Sequence, residues 1–291
     1  MRRSLILLAI VLFPLPVAAQ HVSVRVQVID RGQADGILIR TPNDEWVVID
    51  AGTSKLQAES MRDIWGVDSV ALAIVSHRHT DHFGGMDDVL NLLPVGLLVM
   101  NMADCPNRTT DNKIRAVAVT RGVPTQSVGA DTINVDGVRF ILLPPDPVDD
   151  PCPARENDNS ILVRMEYGAF SMLFTGDAET DERTWLMENH SDLLDATVLK
   201  ASHHGSDNGA DGMANGQSWI QHVDPEAVML TAGENSQHGH PGPNAMNTYE
   251  GHVGTGRVYC TSRMGTLRVY GRQDGGFAVW KQTAFSGSCR F

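Results

Sequence analysis

Histidine is the side chain to follow in this sequence. Seven of its eleven histidines fall in three short windows: His77, His79 and His82; His203 and His204; His238 and His240. The first window reads Ser76-His77-Arg78-His79-Thr80-Asp81-His82, four ligand-type side chains within six positions. Two histidines two residues apart can converge on one metal ion, while Asp81 and His82 can reach a second beside it. Imidazole nitrogen mixed with carboxylate oxygen suits Zn²⁺, and also Mn²⁺ or iron. A solvated polar loop has no reason to concentrate ligands directly after an apolar run, so the spacing points to metal.

The elements around these windows are built to aim them. Val70 to Val75 is continuously apolar, the pattern of a buried strand, and the His77 window follows it at once. Upstream, Val22, Val24, Val26 and Val28 alternate with polar residues as in a strand with one buried face. Further strands are expected at 37–40 and 46–49, the latter running into Asp50-Ala51-Gly52. Helices are expected at 56–65, 86–93, 113–121, 179–188 and 218–222, and strands at 96–100, 132–135, 138–143, 160–167, 170–175, 196–201 and 227–231. Hairpin-like strands at 256–260, 266–270 and 277–281 close the chain, and 101–127, 144–158 and 205–217 read largely as loops. With no fixed-period repeat and no linker, residues 20–291 form one α/β layered domain.

The motifs resemble the metallo-β-lactamase superfamily, and within it the hydrolase-like domain of the ComEC competence proteins. The resemblance rests on Gly32-Gln33-Ala34-Asp35-Gly36, Val47 to Gly52, His77-x-His79-x-Asp81-His82-x-Gly84-Gly85, and Asn157-Asp158-Asn159-Ser160. It continues through Leu173 to Asp177, Leu199 to Ser206 and Gly239-His240-Pro241, so it runs from about residue 22 to 281. It implies a four-layer αβ/βα sandwich with a dinuclear metal site at its mouth. Asp177 would bridge the two metals, and His203 would be the last ligand. His204 is the alternative ligand, or a contact to the leaving group, and His240 would stabilise negative charge on the substrate. Gln33 and Asp35 would support the loop beneath the metals.

One departure is visible. The superfamily usually carries a histidine about twenty residues before the bridging aspartate, but this chain reads Glu156-Asn157-Asp158-Asn159 there. Asn157 can offer an amide oxygen, which shifts preference from Zn²⁺ towards Mn²⁺; the equal alternative is a first site that binds weakly or stays empty. The expected metal set is therefore His77, His79, Asp81, His82, Asn157, Asp177 and His203, with Asp81, His204 and His240 in catalysis and two divalent ions, Zn or Mn, as cofactors. A hydroxide held between such ions would hydrolyse a phosphodiester, in a small phosphoester or single-stranded nucleic acid. An ester, thioester or β-lactam hydrolase on the same scaffold and a non-catalytic metal-binding module are the rival readings.

Charge and address narrow the setting. A formal net charge of −12 disfavours a protein that grips duplex nucleic acid by broad electrostatics, though metal can supply positive charge at one spot. Arg2 and Arg3, the apolar run Leu5 to Leu12 and the small residues Val17-Ala18-Ala19 have the form of a secretory signal cleaved after Ala19. The remainder is expected to be exported, periplasmic or extracellular, with no membrane span and no protein partner. Its four cysteines can pair in three ways, which the sequence alone does not separate; Cys105–Cys152 with Cys260–Cys289, each tying a loop or tail to nearby chain, is the favoured set.

Overall fold

Strands with apolar residues on both faces dominate the centre of the molecule. In β3 (Trp46–Ala51), Val47 and Ile49 face one core while Trp46 and Val48 face another. The same division splits Ile37 and Ile39 from Leu38 in β2 (Gly36–Arg40), and Leu72 and Ile74 from Ala73 in β4 (Leu72–Ile74). A sheet so patterned must be covered on both sides. The computed structural model, which describes residues 23–101, 109–146, 156–207, 215–233 and 238–290, shows how.

Two sheets pack against each other. The first adds β1 (Ser23–Val28), β5 (Leu98–Met100), β6 (Thr125–Ser127), β14 (Leu267–Arg272) and β15 (Phe277–Lys281), in the order β15-β14-β1-β2-β3-β4-β5-β6. The second contains β7 (Thr132–Val135), β8 (Val138–Leu143), β9 (Leu162–Tyr167), β10 (Phe170–Phe174), β11 (Val198–Lys200), β12 (Ala227–Leu230) and β13 (Val258–Cys260), in the order β13-β12-β11-β10-β9-β8-β7. Helices α1 (Lys55–Asp63), α3 (Met86–Leu92) and α4 (Thr109–Arg121) roof the first sheet through Met61, Val89, Leu90 and Ile114. Helices α5 (Thr180–Asn189), α6 (Gln217–Val223) and α7 (Pro243–Val253) bury Leu186, Trp219, Ile220 and Met246 on the second. This is the four-layer αβ/βα metallo-β-lactamase sandwich. Trp219 is fully buried, and its truncation to alanine would cost about 3–5 kcal/mol.

Each sheet is parallel where it matters. Strands β3 to β6 run parallel, as do β10 to β13. Their carboxyl ends leave the sheets at the same rim, the place where open α/β sheets present ligand-binding loops.

Four local expectations are revised. Residues 125–127 extend the first sheet as β6 rather than looping. Helix α7 went unpredicted, although Pro243 behind Gly242 is a helix-start signal. Strand β13 joins β12 in the second sheet, and the one-turn helix α8 (Thr261–Met264) carries the chain across to β14, so only β14 and β15 form a hairpin. Glu156–Asn159 is a buried 3-10 turn, not exposed loop, because Glu156 and Asp158 face buried donors. Cys260 and Cys289 form the expected disulfide, which ties the tail to β13. The Cys105–Cys152 pairing and the secretory signal lie outside the described residues.

Candidate metal centre

The two sheets supply the two halves of one cluster. From the first, the chain leaves β4 and bends at Arg78, with His77 and His79 in contact and Arg78 turned to other partners. The buried Arg78 reaches Glu156 Oε1 at 3.1 Å and Asp111 Oδ2 at 3.6 Å, which pins the segment from behind. Helix α2 (Thr80–Phe83) then presents Asp81 and His82 from its single turn. This close fit requires glycine next: a Cβ on Gly85 would lie 2.5 Å from the Ala51 carbonyl oxygen.

Asp50, at the end of β3, organises the half-site. Its carboxylate accepts from Ser76 N at 2.8 Å and Ser76 Oγ at 2.6 Å, and lies 2.8 Å from His82 Nδ1. With Nδ1 held there, His82 Nε2 faces Asp177 Oδ1 at 3.1 Å. Burial opposes charge on His82, but Asp177 and Asp50 outweigh it and hold its pKa well above the ordinary value. For His77 burial wins, and its pKa falls well below that value. His77 Nε2 sits 3.0 Å from His79 Nδ1 and 3.9 Å from Asp177 Oδ2.

From the second sheet, Gly176 at φ 49° turns Asp177 off β10 into the cluster. Burial alone would raise the Asp177 carboxyl, yet His82 and His204 hold it well below the usual range. After β11 the chain enters a turn in which His203 (φ 43°), His204 (φ 52°) and Gly205 (φ 82°) are all left-handed. Two consecutive non-glycine residues in that region are strained, and the surroundings must hold them. Buried Asn215 does so, donating from Nδ2 to the Ser202 and Ser206 carbonyls at 2.9 Å each.

The turn separates the two imidazoles. His204 Nε2 points among Asp81 Oδ2 (3.4 Å) and Asp177 Oδ2 (3.7 Å), with the His82 ring 5.3 Å away. His203 is partly exposed, its Nδ1 2.8 Å from Glu179 Oε1 and its Nε2 3.7 Å from Asp177 Oδ2. Glu179 Oε1 also accepts from Asn157 Nδ2 at 3.0 Å. The His240 ring packs 5.1 Å from His203; burial, with His203 and His204 beside it, lowers its pKa to about 4. His238 stacks behind His240 at 6.1 Å.

Beneath His204 runs a chain of contacts with only one direction. Lys200 is fully buried; its Nζ lies 2.8 Å from Asp35 Oδ2 and donates to the Ala201 carbonyl at 2.8 Å. An ammonium only donates, and beside it burial fails to raise Asp35, whose pKa is lowered instead. Asp35 is therefore an acceptor, and the Thr231 hydroxyl gives it its proton at 2.5 Å. Thr231 Oγ1 then accepts from His204 Nδ1 at 3.0 Å. Nδ1 is thus the ring's donor to Thr231, which turns Nε2 to the cluster.

The donors fit an ion. His82 Nε2, His204 Nε2, Asp177 Oδ1 and Asn157 Oδ1 are all buried without a hydrogen-bond partner, the short His82–Asp177 approach lacking hydrogen-bond geometry. Buried polar atoms are rarely left so, and the meeting of His82, His204 and Asp177 in one ligand group calls for a cation. Ligand atoms lie within 4.8 Å of one another in two overlapping groups, Asp81-His82-Asp177-His204 and His77-His79-Asp177, with a third, Asp35-Asp50-His82, behind them. All of the sequence-expected site residues are near this centre, but His204 rather than His203 enters a ligand group. Sequence reading missed Lys200, Thr231, Glu179 and the Arg78–Glu156–Asp111 brace. A lysine ending an apolar strand and an arginine between two ligand histidines were the available signals.

Comparison with known proteins agrees with this geometry. Residues 29–211 match the metallo-β-lactamase superfamily. The chain belongs to that superfamily. Most of its members are metal-dependent hydrolases built on a fold that binds divalent ions. The chain is 28% identical over 276 residues to ComE operon protein 3 of Bacillus subtilis and 25% over 248 residues to competence protein ComA of Neisseria gonorrhoeae. Those alignments cover 88% and 81% of this chain but 34% and 31% of the relatives, so it spans about a third of their length. They support the ComEC-like branch. Among solved structures, YhfI of Bacillus subtilis superposes with a TM-score of 0.54 at 12% identity, over 88% of this chain and 99% of its own. CmlA, a diiron β-hydroxylase of Streptomyces venezuelae, gives 0.56 at 14% identity, over 87% and 54%. Both share the fold. No helix among the described residues is long and apolar enough to cross a membrane.

Proposed function

We propose that this chain is an exported phosphodiesterase that works with two divalent ions, Zn²⁺ or Mn²⁺. The observation that carries the reading is Asp177, whose buried carboxylate belongs to two adjacent ligand groups at once. Asp81, His82 and His204 would hold one ion and His77 and His79 the other, with Asp177 between them and the Asn157 amide oxygen in place of the usual histidine. Ions bound there supply Lewis acidity and activate water near neutral pH.

The remaining side chains take roles by position. His203 and His204 exchange the roles that the family likeness implied for them. With Nδ1 anchored to Glu179, His203 has Nε2 directed toward the cluster, placed to give a proton to the leaving oxygen. His240, neutral near pH 7, donates a hydrogen bond to a phosphoryl oxygen as charge builds there. A small phosphoester or single-stranded nucleic acid fits this chemistry.

The test is a substrate panel. Protein lacking residues 1–19, loaded in turn with Zn²⁺ and Mn²⁺, is offered bis(p-nitrophenyl) phosphate, a single-stranded oligonucleotide and a chromogenic β-lactam. Phosphodiester turnover that His79→Ala abolishes supports the reading; β-lactam turnover alone, or no turnover with both ions bound, overturns it. Export is checked separately, by finding the protein outside the cytoplasm with its N-terminus at Gln20.

A further inference from the structure

The helical roof over the first sheet stops at α1 and leaves the outer face of β14 and β15 partly exposed, with Gln27 of β1 buried beside it. Val24, Val26, Val28, Leu267 and Val269 face the inter-sheet core, so their alternates face outward. Strand register then sets Gln27, Arg268 and Trp280 in one row, and Arg25 and Tyr270 in the next. Of these, Arg25, Arg268 and Trp280, with Trp65 just beyond α1 and Arg31 beyond β1, line a groove of about 620 Å³.

The chemistry of this groove is unlike the rest of the chain. Acidic residues outnumber basic ones 35 to 23 overall, and several arginines elsewhere, Arg139, Arg164 and Arg290 among them, take carboxylate partners. Arg25, Arg31 and Arg268 have none within 4.0 Å among the described residues. Arg31 bonds to the neutral Gln57 Oε1 at 2.6 Å and to Ser60 Oγ, while the Nε atoms of Arg25 and Arg268 are buried without a partner. The guanidinium of Arg268 lies over two indoles, 4.2 Å from the Trp280 ring and 4.9 Å from that of Trp65, and Arg25 lies 5.6 Å from the Tyr270 ring. Asp30 is the groove's one acid, and its Oδ1 accepts from Gly32 N at 3.2 Å.

Positioned cations without counter-charge attract a polyanion, and the aromatic faces beside them select one with planar rings. We propose that this groove binds single-stranded nucleic acid, with arginines on phosphates and Trp280 and Trp65 against bases. A duplex hides its base faces, and an acidic peptide leaves the indoles unused. One end of the groove lies at Ile29–Arg31, on the loop that continues to Asp35 beneath His204, so groove and metal centre share a loop. The inference deepens the phosphodiesterase reading and rests on it for what the strand is brought to.

The experiment measures fluorescence anisotropy of a labelled dT12 oligonucleotide on metal-stripped protein in EDTA, where no cleavage occurs. The Arg25→Gln/Arg268→Gln variant is expected to bind at least tenfold more weakly, with a salt slope shallower by about 1.4 for two lost phosphate contacts. Arg31→Gln, at an exposed position, serves as a second variant if the double variant misfolds. Unchanged binding in these variants, or equal binding of poly-glutamate or duplex DNA by the wild-type protein, overturns the groove. Hydrolysis of bis(p-nitrophenyl) phosphate by the loaded protein separates the two ideas. If it proceeds while the variants bind dT12 normally, the groove fails alone; if it is absent while their binding drops, the phosphodiesterase reading fails alone.

Discussion

The ligand group around His82 and His204 is finished by the protein, whereas the group around His77 and His79 is left short. On the first flank, Asp50 holds His82 by Nδ1, and the Lys200–Asp35–Thr231 series holds His204 by Nδ1. Both rings are buried, and both Nε2 atoms face Asp177. On the second flank His79 is only partly buried, and Asn157 stands where a histidine is usual, its amide nitrogen drawn to Glu179. A metal site is tight to the extent that its ligands are oriented before the ion arrives. The two flanks should therefore differ in affinity, with one ion held firmly and the other exchanging.

Asp177→Asn tests whether the flanks are linked at all. Metal content measured by plasma mass spectrometry should fall for both ions, with phosphodiester turnover reduced by more than the ~100-fold typical of losing an outer partner. One ion retained at full stoichiometry would show that the carboxylate is not shared. Next in size is the contrast between the two neighbouring histidines. His204→Ala should strip one ion, while His203→Ala should keep both and slow turnover by about 10²; the reverse pattern would restore His203 as the ligand. Thr231→Val breaks the contact to His204 Nδ1 without touching a ligand, and should weaken the tight ion by roughly 10–100-fold in a calorimetric titration.

These contrasts also mark what could be read from the chain and what could not. The His77–His82 spacing declares a metal loop because a strand end must aim those side chains together. The choice between His203 and His204 is different in kind. It depends on two successive left-handed residues that Ser202 and Asn215 hold in place, and neighbours distant in sequence decide that. Lys200 reads as one more strand residue until β12 brings Thr231 alongside. The partly exposed face of β14 and β15 follows from topology, since α8 switches the chain between sheets within one helical turn.

Titration gives a smaller, signed test. In the metal-free protein Asp177 has a lowered pKa, so its contribution to stability is present above about 4, the unfolded value, and lost as pH falls through the folded one. His82 has a raised pKa, so its contribution is complete below about 6.5 and fades as pH rises through the folded value. His77 and His240 have lowered pKa values and cost stability below about 6.5, so thermal melts of stripped protein should peak near that upper limit, whereas metal affinity should climb with pH because an ion must displace the His82 proton. Smallest is Asn157→His, which adds a nitrogen donor to the short flank and should move its preference a few-fold from Mn²⁺ to Zn²⁺ in a competition titration.

Lys200 has a last consequence, for the order of assembly. Asp35, Asp50, Asp81 and Asp177 bring four carboxylates to one centre, a crowding that would resist folding if ions alone could relieve it. Lys200 is a cation that arrives with the chain and cannot diffuse away, and His82 can add a proton beside it. A centre with its own resident charge should fold first and load afterwards, unlike small domains that stay unfolded until zinc binds, and a cooperative melt in EDTA would show it. If the chain is exported as proposed above, it can then fold empty and meet its ions only at its destination.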